Sequence, residues 1–111
     1  MSIARPVRAF GVWRHELTGT TRSSEGLDER RRRLLFRSWH RGTREMDLIM
    51  GGFADATIGS LSEAEIDAFE RLAEAPEPDL YAWITGDRPV PPEHDNALFH
   101  RLRDFARDGR Q

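Results

Sequence analysis

The sequence predicts an all-α fold, a small five-helix bundle with a flexible N-terminal tail. Apolar residues recur at helical spacing from residue 28 onward, and residues typical of helix caps and turns separate the periodic segments. The alternation of apolar and polar residues that indicates strands does not extend over a useful length. Because 111 residues suffice for one domain, we divide the chain into the tail, residues 1–26, and one helical domain, residues 27–111.

The first two helices are predicted over residues 28–41 and from Thr43 onward. The apolar face of the first helix is formed by Leu34, Leu35 and Trp39. That of the second helix follows the i, i+3, i+4, i+7 pattern and comprises Met46, Ile49, Met50 and Phe53. Gly51 and Gly52 each cost about 1 kcal/mol in a helix interior relative to alanine, so the pair predicts a bend or a close contact with a neighbouring backbone.

The third helix has the clearest start signal in the chain. Ser62 and Glu65 have the spacing of a capping box, and Leu61 and Ile66 occupy the positions of a hydrophobic staple. Its buried stripe is predicted to consist of Ile66, Phe69, Leu72 and Ala73.

Proline and glycine signals predict the last two helices. Pro76 and Pro78 end the third helix and begin the fourth, which is expected to stop at Gly86. The apolar face of the fourth helix comprises Leu80, Trp83 and Ile84. After a proline-rich loop, the fifth helix is expected over residues 92–107. Its inward-facing residues are predicted to be Leu98, Leu102 and Phe105.

The N-terminal segment, residues 1–26, has no sustained periodicity, so we expect a flexible arm. It lacks the apolar stretch of a secretory signal, and no run in the chain approaches the ~20 apolar residues that span a bilayer. A bacterial cytoplasmic protein is the simplest hypothesis. Four arginines and one acidic residue precede Ser23, a composition that organellar presequences share. A mitochondrial matrix protein is therefore the alternative if the chain is eukaryotic.

Composition excludes several kinds of chemistry. The absence of cysteine excludes thiol catalysis, disulfides and thiolate metal sites. The histidines lie on separate segments without metal-ligand spacing, at His15, His40, His94 and His100. The glycines form neither a Walker loop nor a dinucleotide-binding fingerprint. We therefore expect no metal site and no nucleotide-binding loop of the usual kind.

Charge is distributed unevenly along the chain. Residues 1–45 contain 11 arginines and 5 acidic residues, whereas residues 46–111 contain 6 arginines and 14 acidic residues. Residues 30–33 are four consecutive arginines, and an arginine-rich helix close to Trp39 is a pattern that can bind nucleic acid. Consecutive arginines cover all sides of a helix, however, and the acidic remainder repels phosphate. An arginine-rich nucleic-acid-binding module stays as the alternative functional hypothesis.

The string Arg41-Gly42-Thr43-Arg44-Glu45 lies between the first two helices. Gly42 is predicted to close the first helix at its C′ position in the left-handed conformation, with Arg41 in the last turn beside the negative end of the helix dipole. Thr43 is predicted to be the N-cap of the second helix, and Glu45 falls in its first turn. The residues alone are explained by a helix-turn-helix corner.

Two strings give the chain a family resemblance. The first contains an RGxxE signature, Arg41, Gly42 and Glu45, followed by Asp47. The second is Pro78-Asp79-Leu80-Tyr81-Ala82-Trp83-Ile84. With these strings, the span from Arg31 to Phe105 resembles the succinate dehydrogenase assembly factors that promote flavin attachment, the FAD assembly factors of bacteria and mitochondria. The fold of that family is a five-helix bundle, in agreement with the helix count from periodicity.

The resemblance implies an assembly chaperone, not an enzyme. It implies binding of the flavoprotein subunit of succinate dehydrogenase, with that of fumarate reductase as a further candidate client, and promotion of covalent FAD attachment to a histidine of that partner. FAD then belongs to the client and is not held by the chaperone. The partner-binding residues that the resemblance implies are Arg41, Gly42, Thr43, Arg44, Glu45 and Asp47.

Overall fold

The computed structural model describes residues 26–108. They form five α-helices and one 3-10 turn: α1 Glu29–Ser38, α2 Arg44–Thr57, α3 Glu63–Ala73, α4 Glu77–Thr85, the turn Pro92–His94, and α5 Ala97–Asp108. The predicted all-α class and the number of helices are confirmed, and residues 26–108 contain no strand. The predicted flexible tail, residues 1–26, lies outside the described residues except for Gly26.

One apolar core lies between the helices. α1 packs on α2 and α3, while α5 packs on α2, α3 and α4. Phe53 of α2 lies at the meeting point of three helices, because its ring is 5.6 Å from that of Phe69 and 5.8 Å from that of Phe105. The apolar faces predicted for α2 and α3 are confirmed as buried at every position. The prediction missed Phe99 and Ala106, which α5 also buries.

Side-chain caps fix the starts of the first three helices. Asp28 accepts the N–H of Arg31 at α1, and Thr43 accepts the N–H of Met46 at α2. At α3, Ser62 and Glu65 form the predicted capping box, with Glu65 Oε1 2.8 Å from the Ser62 nitrogen. The hydrogen bond that the Ser62 backbone N–H donates to the carboxylate is the main reason why the pKa of Glu65 lies below its ordinary value.

The last helix begins later than predicted. Residues 92–94 form a separate 3-10 turn, and α5 starts at Ala97 instead of residue 92. The reason is a local cap: the side-chain oxygen of Asn96 accepts the N–H of Phe99 at 2.9 Å, the bond that an N-cap residue makes. Asp95, with φ −88° and ψ 82°, is not helical and separates the two segments.

The first helix ends earlier than predicted, and two expectations about its end are wrong. α1 stops at Ser38 with Trp39 as its C-cap, so Gly42 does not occupy the C′ position and Arg41 is not in the last turn. At Trp39 the chain leaves the helix, and the indole of this residue packs on Gly51 of α2. Residues 39–43, which we call the corner turn, connect α1 to α2. Gly42 does have the predicted left-handed backbone, with φ +113°.

The glycine pair makes its close contact with side chains and not with a neighbouring backbone. α2 continues through Gly51 and Gly52 without interruption. A Cβ on Gly51 would lie within 2.6 Å of three ring carbons of Trp39, and one on Gly52 would lie 3.2 Å from the ring of Phe105. Gly51 therefore leaves the space into which the indole of the corner turn fits.

None of the helices within residues 26–108 has the length and apolarity that a bilayer crossing demands.

Candidate partner-binding site

The RGxxE signature begins in the corner turn, with Arg41 and Gly42, and ends in the first turn of α2, with Glu45. Two contacts with α2 hold the corner turn in place. The Trp39 indole lies on Gly51, and its Nε1–H donates to Asp55 Oδ1 at 3.2 Å. Asp47, in the first turn of α2, accepts the backbone N–H of Arg41 through Oδ1 at 2.6 Å. Two residues of the turn are thus bonded to two turns of the same helix.

Arg41 bonds the corner turn to a second pair of helices. Its Nη1 donates to the carbonyl oxygen of Ala73 at 2.6 Å, at the C-terminal end of α3. Its Nε and Nη2 donate to Oε1 of Glu77, the first residue of α4, at 3.2 and 2.9 Å. The Arg41 side chain is only 9% exposed. The arginine therefore does meet the negative end of a helix dipole, but the helix is α3 and not α1.

The other predicted partner-binding residues lie at or near the surface of the protein. Gly42, Thr43 and Arg44 are exposed, and Glu45 and Asp47 are partly buried. The six predicted residues lie in one segment, in which Arg41, Thr43 and Asp47 have internal hydrogen-bond partners and residues 42–44 are exposed. Whether they bind a partner stays a prediction.

Glu45 also lines a groove of about 450 Å³ between α2, α4 and α5. Tyr81, 41% exposed, and Ile84 line it from α4, while Arg103 and Arg107 line it from α5. Tyr81 and Ile84 belong to the second of the two strings that carry the family resemblance. The fold therefore brings the two strings, distant in sequence, to one surface.

The sequence analysis missed an exposed pair of stacked rings that joins α1 to the corner turn. The Phe36 side chain is 58% exposed, and its ring stacks on the His40 imidazole with 3.8 Å between centroids. Nδ1 of His40 lies 2.6 Å from the Phe36 carbonyl oxygen, to which it can donate. A signal was present, since Phe36 falls outside the predicted apolar face of α1.

The four consecutive arginines bind the protein itself. Arg30 donates to carboxylates of α3, namely Glu63 at 3.0 Å, Glu70 at 2.8 and 2.9 Å, and Asp67. Hydrogen bonds to Arg30 are the main reason why the pKa of Glu70 and of Asp67 lies below the ordinary value, and the same carboxylates raise the pKa of Arg30. Arg30 is thereby committed to α3.

The other three arginines of the run have internal partners as well. Arg31 donates to the Ile58 carbonyl at the C-terminal end of α2, at 2.7 Å, and to Glu63 at 3.1 Å. Arg32 donates to the Leu27 carbonyl at 2.5 Å, and Arg33 pairs with Glu29 at 2.9 Å. Nucleic acid would have to displace these bonds, so the arrangement gives the nucleic-acid hypothesis no support.

Within residues 26–108, no group of His, Asp and Glu side chains is placed to hold a metal ion.

Comparisons with known proteins give the family. Residues 32–106 match the family described as the flavinator of succinate dehydrogenase. The chain is 36% identical over 85 residues to the FAD assembly factor of Acetobacter pasteurianus, an alignment that covers 77% of this chain and 78% of that protein. The match includes the corner turn and both strings that line the groove.

Mitochondrial relatives are longer than this chain. Identity is 34% over 89 residues to the mitochondrial succinate dehydrogenase assembly factor 2 of Candida glabrata, with 77% of this chain and 58% of that protein covered. The corresponding protein of Danio rerio is 30% identical over 89 residues, with 78% and 56% covered. The chain thus spans little more than half the length of these two relatives. It belongs to the family of the flavinator of succinate dehydrogenase, an assembly factor for FAD attachment.

Proposed function

We propose that this protein binds the flavoprotein subunit of succinate dehydrogenase before that subunit joins its complex, and that it promotes covalent attachment of FAD there. The family and the names of the relatives support this proposal. The flavoprotein of fumarate reductase is a second candidate client. The protein acts as a chaperone and supplies no catalytic residue, and FAD stays with the client throughout.

The observation that carries the proposal is the construction of the corner turn. Residues 42–44 form an exposed edge next to Glu45, while the residues on both sides of that edge are bonded to α2, α3 and α4. A surface with fixed geometry loses little conformational freedom when it binds, and this favours affinity. An edge supported in this way is suited to binding a protein.

Positioning provides a physical account of how binding promotes flavin attachment. The reaction requires the client histidine and the flavin methyl group to lie in register, with the negative charge of the flavin ring stabilised. A partner that stabilises the client conformation in which these groups are aligned lowers the barrier through orientation and electrostatics. Positioning of this kind requires no catalytic residue on the chaperone.

The relatives include a bacterial protein and mitochondrial proteins, so the compartment follows from the source of the chain. We propose the bacterial cytoplasm, or the mitochondrial matrix if the chain is eukaryotic. In both places the unassembled flavoprotein subunit is the expected partner.

The test is co-expression of the flavoprotein subunit with and without this protein, scored by the fluorescence of covalently bound flavin in denaturing gels. We expect covalent flavin to increase with the parent protein, and Arg44→Ala to reduce that increase. The matched control is Arg71→Ala, since Arg71 is also exposed and lies in the last turn of α3. Equal covalent flavin with and without the parent, together with salt-sensitive RNA or DNA binding, would contradict the proposal.

A further inference from the structure

Arg41 is the residue of the RGxxE signature whose surroundings differ most from those of a surface contact. Its guanidinium makes three hydrogen bonds inside the protein, one to the Ala73 carbonyl and two to Glu77 Oε1. Its side chain is 9% exposed and that of Glu77 is 25% exposed. A partner could reach this guanidinium only by breaking bonds that already satisfy most of its donors.

The positions of the two acceptors show which elements these hydrogen bonds join. Ala73 is the last residue of α3, where carbonyl oxygens have no partner within the helix. Glu77 is the first residue of α4, just after the Pro76 N-cap. Arg41 therefore joins the corner turn to the joint between α3 and α4. Its backbone N–H, accepted by Asp47, fixes the same residue to α2.

We propose that Arg41 and Glu77 are positioning residues for the client-binding edge, residues 42–44 and the adjacent Glu45, and that neither touches the client. This inference rests on the proposed function. Glu77 lies 36 residues from Arg41 and outside both strings that carry the family resemblance. Loss of the Glu77 carboxylate should therefore weaken client binding although it alters no atom of the RGxxE signature.

A double-mutant cycle tests this role. The affinity of the full chain for the FAD-loaded flavoprotein subunit is measured for the parent, Arg41→Ala, Glu77→Ala and the double variant. Affinities are compared at a temperature where all four show the helical circular dichroism of the parent. We expect each single variant to bind on the order of tenfold more weakly, and the double variant no more weakly than the weaker single one.

A second measurement separates positioning from loss of folded protein. At saturating concentrations of the factor, covalent flavin should approach the parent level in both single variants, because the edge still binds once enough factor is present. Glu77→Gln retains an oxygen that can accept from Arg41 and should recover part of the lost affinity. Arg41→Lys should recover less, because one ammonium cannot reproduce the planar fork that reaches both acceptors.

The control is Asp79→Asn, which removes a carboxylate from the same helix, one paired with Arg88 at 2.8 Å. It should leave client affinity unchanged. Parent affinity in Glu77→Ala, or effects of Arg41→Ala and Glu77→Ala that multiply in the double variant, would overturn the inference and indicate a direct contact of Arg41 with the client. If Glu77→Ala does not fold, Glu77→Gln decides in its place. A parent protein that neither binds nor flavinylates the client would instead contradict the proposed function.

Discussion

Arg30 and Arg41 both reach α3 from the segment around α1, but their surroundings differ. Arg30 is 32% exposed and donates to three carboxylates on the solvent side of α3. Arg41 is 9% exposed and donates to one carboxylate and to the terminal carbonyl of α3. The exposed cluster has more ion pairs, whereas the buried residue connects more elements.

This difference shows that the number of ion pairs is a poor guide to which arginine is more sensitive to substitution. Water and salt screen charges at the surface, and long side chains lose entropy when they are ordered there. Removing one partner from a buried pair leaves the other without compensation, which costs more. We therefore expect the corner turn to be sensitive to substitution and the arginine run to be tolerant.

The largest loss of stability is expected for Gly51→Ala, which acts on the corner turn from the side of α2. The new methyl group would overlap the Trp39 ring and force the indole away from the helix. Overpacking of this kind costs about 1–3 kcal/mol or more, while alanine returns about 1 kcal/mol in helix propensity. We expect a net loss of about 2 kcal/mol in the free energy of unfolding, measured with urea.

Gly52→Ala is the matched control for that prediction. Its methyl group would lie 3.2 Å from two atoms of the Phe105 ring, which can move by a few tenths of an ångström. The gain in helix propensity should offset this contact, so we expect a stability close to that of the parent. Equal losses for the two alanines would show that the space beside Trp39 is not what Gly51 provides.

Gly42→Val should have the next largest effect. Nothing lies within 4 Å of a Cβ at this position, so the cost comes from the backbone with φ +113° and not from a clash. A β-branched residue in this region costs about 1–3 kcal/mol before relaxation, and a shift of the exposed turn relieves part of this strain. Both the unfolding midpoint and covalent flavin on the client should fall. Gly42→Asn, which tolerates positive φ better, should retain more of both.

Glu45→Ala should separate function from stability. A carboxylate in the first turn of a helix contributes only about 0.3–1 kcal/mol through the dipole, so the folded state should survive. We expect a clear loss of covalent flavin at an unfolding midpoint near that of the parent. Glu93→Ala, at an exposed position in the 3-10 turn, is the control and should retain flavin attachment. A collapse in stability together with full flavin attachment by the remaining folded protein would make Glu45 a structural residue only.

Local signals were sufficient for most of the fold. Helical spacing predicted the buried faces of α2 and α3, and the Ser62–Glu65 spacing predicted a cap that forms. The predicted start of α5 was wrong because proline at residue 92 is compatible with the first turn of a helix. The hydrogen bond from the Phe99 N–H to the Asn96 side chain selects the later start.

The sequence predicted that the RGxxE segment lies between the first two helices, but not which way its arginine faces. The RGxxE spacing identified the corner turn, yet the partners of Arg41 lie 32 and 36 residues away, at Ala73 and Glu77. No local pattern specifies that an arginine beside a turn will face the interior, because this depends on how α3 and α4 pack. The same limit applies to Gly51, whose partner Trp39 is defined only in the folded chain.

The smallest loss of stability at neutral pH is expected for Arg30→Ala. How this loss changes with pH and salt is the most direct test of the comparison between Arg30 and Arg41. Arg30 lowers the pKa of Glu70 and of Asp67 in the folded state, where the ordinary values are 4.5 and 3.8. The stability that these ion pairs contribute is therefore present above the ordinary pKa values. It is lost as the pH falls through the lowered values. The difference in unfolding midpoint between parent and Arg30→Ala should therefore shrink as the pH falls below these ordinary values, and also in about 1 M NaCl at pH 7. The difference caused by Arg41→Ala should change much less in salt, because that guanidinium is largely shielded from water. If salt leaves the Arg30 difference unchanged and removes the Arg41 difference, the two arginines have the opposite roles to those assigned by their exposure.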